Sequence, residues 1–353
     1  MSKWTKNPPK KVRLNLFGEA DANCHPLIFS NQQIEDAAFQ HFRVTGFPYV
    51  KLTPHESMLE INYLTGLSTT ELRHTSVAYK VAETYHPHRR HACANGFRSP
   101  FDSFQNDKLL RHAIQLELKS GAITPHLHYL GLVTGTQACW NFRPGFALSQ
   151  YRKYCKPGLT VLDTSTGYGG RLVGFIASGF AGKYIGIDPS TLTHCGNLKM
   201  ASELGYSNAV ELHNLPAEDV RPSDLPPCDF AFTSPPYFSK EHYSEEETQS
   251  WKRYKSGESW RVGFLLPMFR LQFAVLKPAS ISIVNIADAK VEGQIYPLVD
   301  WAVDAAGKAG FSFIKREEFP MARRIGTGGH LSDKVATEAI LVFQKPKSAG
   351  RKV

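Results

Sequence analysis

The sequence of 353 residues has no apolar run of about 18 residues or more, the length that a membrane-spanning helix needs. Its basic start, MSKWTKNPPKKVRLNLF, is not followed by the apolar stretch of a secretory signal, so we expect no such signal. Internal repeats and low-complexity segments are also missing from it. These absences favour a globular cytoplasmic protein without a membrane partner.

Closely spaced cysteines are missing as well. The six cysteines are scattered, and no two have the CxxC spacing of zinc ribbons and thioredoxin-like proteins. We expect reduced, partly buried cysteines. The segment HPHRRHAC, residues 86–93, is rich in histidine but lacks a second Cys/His pair at zinc spacing, and we predict no metal site. A phosphate-contacting loop and a solvated loop both stay open for it.

The charge balance is moderately basic. Lysine and arginine outnumber the acidic residues by 41 to 32, which gives +9 at pH 7 with neutral histidines. Because each neutralised phosphate releases counterions, a basic chain favours a polyanionic partner. Many proteins are mildly basic, so this observation supports nucleic acid only weakly.

The first part of the chain is predicted to be mainly helical. Residues 1–30 are basic and contain two prolines, which predicts an arm. Within residues 31–140, NQQIEDAAFQHF and NDKLLRHAIQLELKSG carry apolar residues at helical spacing. Asn31 and Asn106 are the expected N-caps, and Gly121 is expected to end the second helix.

Residues 141–345 alternate short apolar runs with helical patterns, beginning with LTVLD, RLVGFIASGF and KYIGID. This alternation predicts an α/β fold, a doubly wound and mostly parallel sheet with helices on both faces. The last two runs, FSFIKREEF and TEAILVFQK, have no helical pattern between them. They predict a C-terminal antiparallel hairpin joined by a long loop containing ARRIGTGGH. Residues 346–353 form a basic tail.

A glycine-rich loop, VLDTSTGYGGR at 161–171, follows the first apolar run. Its glycines permit a tight strand-to-helix turn and let backbone amides approach a ligand. Asp188 ends the next strand, where a carboxylate can bind the two hydroxyls of a ribose. The pattern is neither GxGxxG nor GxxxxGK[ST], which disfavours NAD and P-loop sites. Alone, the loop fits a simple chain turn equally well.

The segment DFAFTSPPYF, residues 229–238, places Thr-Ser-Pro-Pro-Tyr at the end of an apolar strand. Two consecutive prolines fix φ and remove two donors, which leaves the carbonyls near Ser234 and Pro235 free to accept hydrogen bonds from an NH₂ group. Tyr237 offers an aromatic face to a planar ring. The position at a strand end favours a ligand site over a proline-rich turn.

Together, DTSTGYG and TSPPYF resemble the cofactor loop and the [DNS]PP[YF] motif of the S-adenosylmethionine-dependent amino-methyltransferases, which methylate adenine-N6 or cytosine-N4. The resemblance covers roughly residues 140–345. It implies a Rossmann-like methyltransferase fold with S-adenosylmethionine as the cofactor. The Ser form of the motif looks more like that of cytosine-N4 enzymes.

The resemblance also implies residue roles. The catalytic pocket would consist of Ser234, Pro235, Pro236 and Tyr237. Cofactor contacts are implied for Asp163, Ser165, Gly167, Gly169, Asp188, Pro189, Glu218, Asp219, Asn141, Phe142 and Pro144. Glu218 and Asp219 would lie at the cofactor adenine, and the segment from Asn141 to Pro144 at the methionine end. Ser165 departs from the family, which often has an aromatic residue there.

The implied partner is double-stranded DNA with the target base flipped out of the helix, since a stacked base is unreachable. No large block follows the catalytic strands, so target recognition is expected in residues 1–140, chiefly the helical region 31–140. Mixed basic and aromatic residues after the motif suit a loop that closes over nucleic acid, although an ordinary charged surface helix fits equally. Expected nucleic-acid contacts are Arg89, Arg90, Phe238, Lys240, Lys252 and Arg253.

Several functions remain open at this point. The main prediction is DNA cytosine-N4 methylation, with adenine-N6 methylation as its nearest rival. Methylation of an RNA base or of a protein glutamine uses related motifs, and a catalytically silent nucleic-acid binder is the alternative outside enzymology. The sequence leaves open the recognition site, the oligomeric state, and whether a restriction endonuclease acts as a partner.

Overall fold

The computed structural model describes residues 29–180, 182–320 and 337–347, and it divides the chain into two compact units. Most of the predicted arm, the loop containing ARRIGTGGH and most of the tail lie outside the described residues. The α-helices are α1 (Asn31–Thr45), α2 (Pro54–Gly66), α3 (Thr69–Leu72), α4 (Tyr79–Tyr85), α5 (Pro100–Gln105), α6 (Asp107–Ser120), α7 (Pro144–Tyr154), α8 (Gly170–Ser178), α9 (Thr191–Glu203), α10 (Ser250–Arg253), α11 (Gly257–Trp260), α12 (Leu266–Val275) and α13 (Leu298–Ala309).

The first unit, described over residues 29–49 and 97–138, is a small helical unit built on α1, α5 and α6. Ser30 caps α1 in a capping box with Gln33, one residue before the predicted Asn31. Asn106 and Gly121 cap the two ends of α6 as predicted. The apolar faces of the helices form one core, which includes Phe39, Phe42, Leu110 and Ile114.

The second unit contains a seven-stranded sheet. Its strands are β1 (Thr160–Asp163), β2 (Lys183–Ile187), β3 (Val210–His213), β4 (Cys228–Thr233), β5 (Leu276–Ile286), β6 (Ser312–Pro320) and β7 (Thr337–Gln344). The strand order is β6-β7-β5-β4-β1-β2-β3, parallel from β5 to β3 and antiparallel at β7 and β6. Two short antiparallel pairs, Cys93–Ala94 with Glu241–His242 and Ala289–Val291 with Gln294–Tyr296, lie outside it.

Successive residues of the central strands point to opposite faces, and each face has its own apolar core. Leu162 and Leu341 belong to the core that includes residues of α11 to α13. Their neighbours Val161 and Ile340 belong to the core on the other face, which includes residues of α7 and α8. The doubly wound, mostly parallel sheet with a C-terminal antiparallel hairpin is therefore confirmed, as is the helical N-terminal region.

The boundary between the units differs from the predicted one at residue 140. Residues 50–96 belong to the unit that contains the sheet. Ile61, Leu64 and Leu72, for example, are buried in the same apolar core as Phe146 and Leu172. The sequence pattern of 31–140 could not predict this division, because amphipathic helices have the same pattern whichever unit they pack against.

Among the described residues, no helix is both long enough and apolar enough to cross a membrane.

A buried ion pair holds the carboxyl end of the sheet together. Asp163, the last residue of β1, is fully buried. Its carboxylate accepts hydrogen bonds from Arg171 Nε at 2.7 Å, Tyr184 Oη at 2.6 Å and Thr233 Oγ1 at 3.0 Å. Burial lowers the pKa of the Arg171 guanidinium, but the charge of Asp163 and its hydrogen bond to Arg171, together with Tyr184 and Tyr151, raise it by more, so the net shift is upward. Strands β1, β2 and β4 and helix α8 thus meet at one carboxylate.

Replacing Arg171 with alanine leaves the Asp163 carboxylate buried without its counter-charge. Removing one partner of such a pair typically costs about 3–5 kcal/mol, so we expect a loss of that order in the free energy of unfolding. Urea denaturation at pH 7 measures it. The matched control is Arg221→Ala, which breaks an exposed pair with Asp224 and should change stability little. Equal losses in the two variants would contradict the role given to Arg171.

Candidate active site

The glycine-rich loop connects β1 to α8 and is closed by backbone contacts with the end of β2. Thr166 N donates to Ile187 O at 2.9 Å, and Gly167 N donates to Asp188 Oδ2 at 2.8 Å. The other carboxylate oxygen of Asp188 accepts from Ser190 N at 3.0 Å. The predicted loop and the predicted strand-end acid therefore lie together, with Pro189 next to the acid and also partly exposed.

Residues of this loop divide into accessible and buried ones. Ser165 and Gly167 are partly exposed. At Gly167, with φ of 56°, the nearest atom to an added Cβ would be Ser165 O at 3.9 Å, an ordinary van der Waals distance, so this glycine is not closely packed on that side. At Gly169 an added Cβ would lie 2.4 Å from Asn197 Oδ1, so this glycine allows the loop to pack against α9.

Two of the predicted loop contacts already have partners within the protein. Asp163 is fully buried and its carboxylate oxygens are already occupied by donors of the protein itself, and Gly169 is buried against α9. Both residues support the loop from inside the protein. Ser165 and Gly167 are the loop residues that a ligand could reach.

The segment before α7 packs against the loop. Asn141 is buried and its Nδ2 donates to Tyr168 O at 3.2 Å. Pro144 is buried as the first residue of α7. Phe142 remains partly exposed, and the Arg171 guanidinium lies 5.0 Å from its ring centroid. Of these three predicted contacts, only Phe142 presents a surface to the site; Asn141 and Pro144 hold the segment in place.

An acidic pair follows β3, and Arg253 bonds to both of its carboxylates. Arg253 Nη1 lies 3.0 Å from Glu218 Oε1 and 2.8 Å from Asp219 Oδ2. Tyr254 Oη donates to the same Glu218 oxygen at 3.0 Å. The second oxygen, Glu218 Oε2, is buried and has no hydrogen-bond partner in the described part of the chain. Burial raises the pKa of the Glu218 carboxyl, with the Arg253 charge opposing it.

This pairing corrects the prediction for Arg253. Its guanidinium bonds to two carboxylates of its own chain, so it is not a free cation for a phosphate. Lys252 is similarly engaged, with Nζ 2.9 Å from Glu245 Oε2, although that partner is exposed.

The Ser-Pro-Pro-Tyr motif directly follows β4, as predicted. Within the described residues, no donor makes a hydrogen bond to the carbonyl of Ser234 or Pro235. Tyr237 is partly exposed, and Lys240 Nζ lies 5.4 Å from its ring centroid. Burial raises the pKa of Tyr237 well above its ordinary value, as does the nearby charge of Glu338, so the hydroxyl keeps its proton.

Phe238 does not share the exposure of Tyr237. Its backbone has a left-handed φ of 54°, which is unusual for a residue with a side chain. The ring is buried, with its centroid 6.2 Å from that of Trp260 and 4.9 Å from that of Tyr296. The structure therefore contradicts the expected nucleic-acid contact of Phe238, because its ring is already covered.

Two residues of the site were missed by the sequence analysis. Asn285 of β5 donates through Nδ2 to Tyr237 Oη at 2.9 Å and to Glu338 Oε2 of β7 at 2.7 Å, and Ser234 Oγ lies 3.3 Å away. The signal for Asn285 is in the sequence, where one amide interrupts the apolar run SISIVNI. Glu338 had no such signal, because its place beside Asn285 depends on the pairing of β7 with β5.

The histidine-rich segment 86–93 contains both buried and exposed residues: His86, Arg89 and Ala92 are buried, whereas Pro87 and His91 are exposed. His86 is buried, and burial lowers the pKa of His86 to about 4 and that of His88 to about 3. Both rings contact Tyr168 of the glycine-rich loop. Arg89 is buried against Glu83 and donates to Cys139 O at 2.7 Å. Among the described residues, no group of His, Cys, Asp and Glu is arranged to hold a metal ion.

This packing overturns the prediction that Arg89 contacts phosphate. Arg90 is also paired to Glu83, at 3.0 Å, but keeps part of its side chain exposed. Burial lowers the pKa of Arg90 to about 10. His86 and His88 thus support the glycine-rich loop, whereas Arg90 and His91 keep exposed surface, and their contact with phosphate stays a hypothesis.

A groove of about 260 Å³ lies beside the segment that follows the motif. The ring of His242 stacks on Trp251 at 3.9 Å between centroids, and Lys255 Nζ lies 5.5 Å from the Trp251 ring. The lining also includes Asn95, Ser239, Tyr254 and Tyr296. The basic and aromatic character predicted for this segment is present here, on Lys255 rather than on Arg253.

No protein-family model matches the chain, and no curated protein matches its sequence. Among solved structures, the chain is similar to TrmN from Thermus thermophilus, with 15% identity, a TM-score of 0.39 and coverage of 57% of this chain and 48% of TrmN. It is similar to a methyltransferase from Pyrococcus furiosus, with 14% identity, a TM-score of 0.39 and coverage of 67% and 98%. It is also similar to the [4+2]-cyclase SpnF, with 15% identity, a TM-score of 0.41 and coverage of 58% and 82%.

The chain thus spans about half the length of TrmN. Similarities at these identities and TM-scores do not identify a function. The chemistry has to be inferred from the site itself.

The environment of Asp188 makes stability depend on pH. Burial raises the pKa of Asp188 to about 6 from an ordinary value of 3.8, against the hydrogen bonds from Ser190 and Gly167. Because the folded state binds the proton more tightly than the unfolded state, this residue stabilises the fold below about pH 4, and the contribution is lost as the pH rises through about 6.

We therefore expect the free energy of unfolding of the wild type, relative to Asp188→Asn, to fall between about pH 4 and pH 7. Urea denaturation across this range measures the difference. Asp224→Asn is the control. Because Arg221 lowers the pKa of Asp224, the free energy of unfolding of the wild type relative to Asp224→Asn should fall as the pH is lowered, not as it is raised. A pH-independent difference for Asp188→Asn would contradict the raised pKa.

Proposed function

We propose that this protein transfers a methyl group from S-adenosylmethionine to the exocyclic amine of a base in DNA, with cytosine-N4 as the preferred acceptor. The observation that carries the proposal is the end of β4. There the carbonyls of Ser234 and Pro235 lack donors from the described residues, Tyr237 is partly exposed, and the resemblance of TSPPYF to amino-methyltransferases assigns all three to the reacting amine.

The residues present fit the proposed cofactor. Gly167 is partly exposed and not closely packed, so a ligand can approach the backbone of the loop there. Asp188 provides a carboxylate for ribose hydroxyls, and Glu218 Oε2 is a buried acceptor without a partner, suited to an adenine amino group. When bound, S-adenosylmethionine supplies an electrophilic methyl group on a sulfonium.

The task of this chain is to make the amine nucleophilic and to position it. The lone pair of an aromatic exocyclic amine is delocalised into the ring. Carbonyls that accept its hydrogens draw the nitrogen towards a tetrahedral geometry, which returns the lone pair to the nitrogen. Rigid placement of these acceptors and stabilisation of the developing positive charge account for most of such catalysis. The prolines fix the acceptors, and Tyr237 stacks on the ring.

Double-stranded DNA as the partner rests on three points. The net charge is +9, Lys240 lies beside Tyr237, and the groove at Trp251 combines aromatic rings with Lys255. The target base must be flipped to reach the strand-end carbonyls. Because Arg89 and Arg253 are engaged internally, the proposed phosphate contacts fall to Lys240, Lys255 and the helical first unit. The preference for cytosine rests on the resemblance, in which a serine at the position of Ser234 is typical of cytosine-N4 enzymes.

Loss of the Asp188 carboxylate should weaken cofactor binding. We expect Asp188→Ala to reduce the affinity for S-adenosylmethionine by about 2–3 kcal/mol, the value of a charge-assisted hydrogen-bond pair. Isothermal titration calorimetry measures the affinity, and circular dichroism confirms that the variant is folded. Asp224→Ala, a change of the same kind outside the proposed site, is the control. Unchanged affinity in a folded Asp188→Ala protein would remove the assignment of this residue.

Mass spectrometry of nucleosides tests the reaction. Digests of nucleic acid from cells that express the wild type should show N4-methyl-2′-deoxycytidine from the DNA, and the RNA should gain no methylated base. Tyr237→Ala should lower kcat/KM by a factor corresponding to about 1–3 kcal/mol of lost stacking, while cofactor affinity stays nearly the same. Tyr237→Phe keeps the ring and should lose much less.

Each result of this experiment has a distinct meaning. N6-methyladenine in DNA would reject cytosine but retain the mechanism, and a modified base in RNA alone would reject the partner. Methylation at a ring carbon would reject the mechanism. Absence of any modification, together with absence of S-adenosylmethionine binding, would leave the silent nucleic-acid binder as the function.

A further inference from the structure

Asn285 has an unsatisfied oxygen at the proposed catalytic pocket. The residue is 1% exposed, and its Oδ1 atom has no hydrogen-bond partner among the described residues. Buried polar atoms are nearly always hydrogen-bonded, so an exception at a ligand site needs an explanation. The partner of Oδ1 is expected to be a donor that arrives with the substrate.

The orientation of the Asn285 amide is fixed by its neighbours. Glu338 Oε2 lies 2.7 Å from Nδ2, and an ionised carboxylate can only accept hydrogen bonds. The NH₂ group must therefore face Glu338, and a flipped amide would place two acceptors against each other. Tyr237 Oη, at 2.9 Å, accepts on the same side. Oδ1 is left for another donor.

The strand register brings this amide to the motif. Thr233 of β4 pairs with Val284 of β5, so Ser234 and Asn285 are the next residues on neighbouring parallel strands. The distance of 3.3 Å from Nδ2 to Ser234 Oγ confirms this proximity. Asn285 thus contacts two of the four residues assigned to the catalytic pocket, although it belongs to a different strand.

We propose that Asn285 Oδ1 is a second acceptor for the target amine, and that Glu338 is the positioning residue that orients it. The proposal rests on the proposed function. One hydrogen of the amine bonds to a carbonyl at Ser234 or Pro235, and the other bonds to Oδ1. A serine at the first motif position has no amide or carboxylate oxygen, and Asn285 supplies one from β5.

Asn285 transfers no proton in the proposed step. The lone pair of the amine nitrogen forms the new C–N bond while the C–S bond breaks, and its electron pair stays on sulfur as a thioether. The positive charge moves to the nitrogen, where two accepted hydrogen bonds stabilise it. One N–H proton then leaves to water, which restores the neutral amine.

The test uses the full-length enzyme with unmethylated DNA and saturating S-adenosylmethionine. We expect Asn285→Ala to lower kcat by about 10- to 100-fold, because it removes one preorganised hydrogen bond to the reacting group. KM for DNA and cofactor affinity should change less than about twofold, since the bond strengthens mainly in the transition state. Asn214→Ala removes an exposed amide elsewhere and should retain full kcat.

A double-mutant cycle tests the positioning role. Glu338→Ala should lower kcat by a smaller factor, because Asn285 remains but loses its fixed orientation. If Glu338 acts only through Asn285, the double variant should be no slower than Asn285→Ala alone. A purely structural role of Glu338 would instead reduce stability without this dependence, and urea denaturation of each variant separates the two.

The outcomes are distinguishable. Full kcat in a folded Asn285→Ala enzyme overturns the proposal, and so does a double variant whose losses multiply. If Asn285→Ala does not fold, unchanged kcat in a folded Glu338→Ala enzyme overturns it. A wild type that binds the cofactor and methylates no amine overturns the proposed function together with this inference, whereas a defect confined to the variants concerns Asn285 alone.

Discussion

The geometry of the site depends on the burial of one carboxylate. Asp163 has no exposed surface and accepts hydrogen bonds from Arg171, Tyr184 and Thr233. A buried charge is tolerated only when it is paired and its lone pairs are satisfied, so these donors are held as firmly as the carboxylate. They come from α8, β2 and β4, and their common acceptor ends β1. The strand ends that carry Asp188 and Ser234 are therefore set relative to each other by a group that touches neither of them.

Much of this arrangement could be predicted from the sequence because it is local. Asn106 and Gly121 identify the ends of α6, and the alternation of apolar runs identifies the sheet. The glycine-rich loop and Asp188 lie together because parallel strands end at one edge of a sheet. The Ser-Pro-Pro-Tyr motif lies at the end of β4 for the same reason.

The errors have a common origin, which is that the folded structure decides which side chains are buried and paired. Nothing near Asp163 shows that Arg171 and Tyr184 will enclose it, and nothing near Arg89 shows that Glu83 will neutralise it inside the protein. Phe238 lies next to Tyr237 in the sequence, but a left-handed backbone at Phe238 turns its ring into the core. In the sequence, these residues are recognisable only as polar or aromatic side chains near a predicted ligand motif. Burial, which decides their roles, depends on the complete fold.

The residues whose predicted ligand contacts were not found surround the accessible residues of the site and hold them in place. Arg89, His86 and Asn141 hold the glycine-rich loop from one side, where Asn141 bonds to Tyr168 O and the His86 ring packs on Tyr168. Arg253 holds the acidic pair after β3. Arg253 belongs to the segment that begins at the Ser-Pro-Pro-Tyr motif, so one stretch of chain joins the strand-end carbonyls to Glu218. Most of the polar side chains that sequence reasoning assigned to ligands support the site instead. The groups left for ligands are a few backbone groups, Asp188, Tyr237 and the unpaired, buried oxygens of Glu218 and Asn285. A site built in this way gains its precision from buried pairs, because each support is fixed by its own partners before any ligand binds.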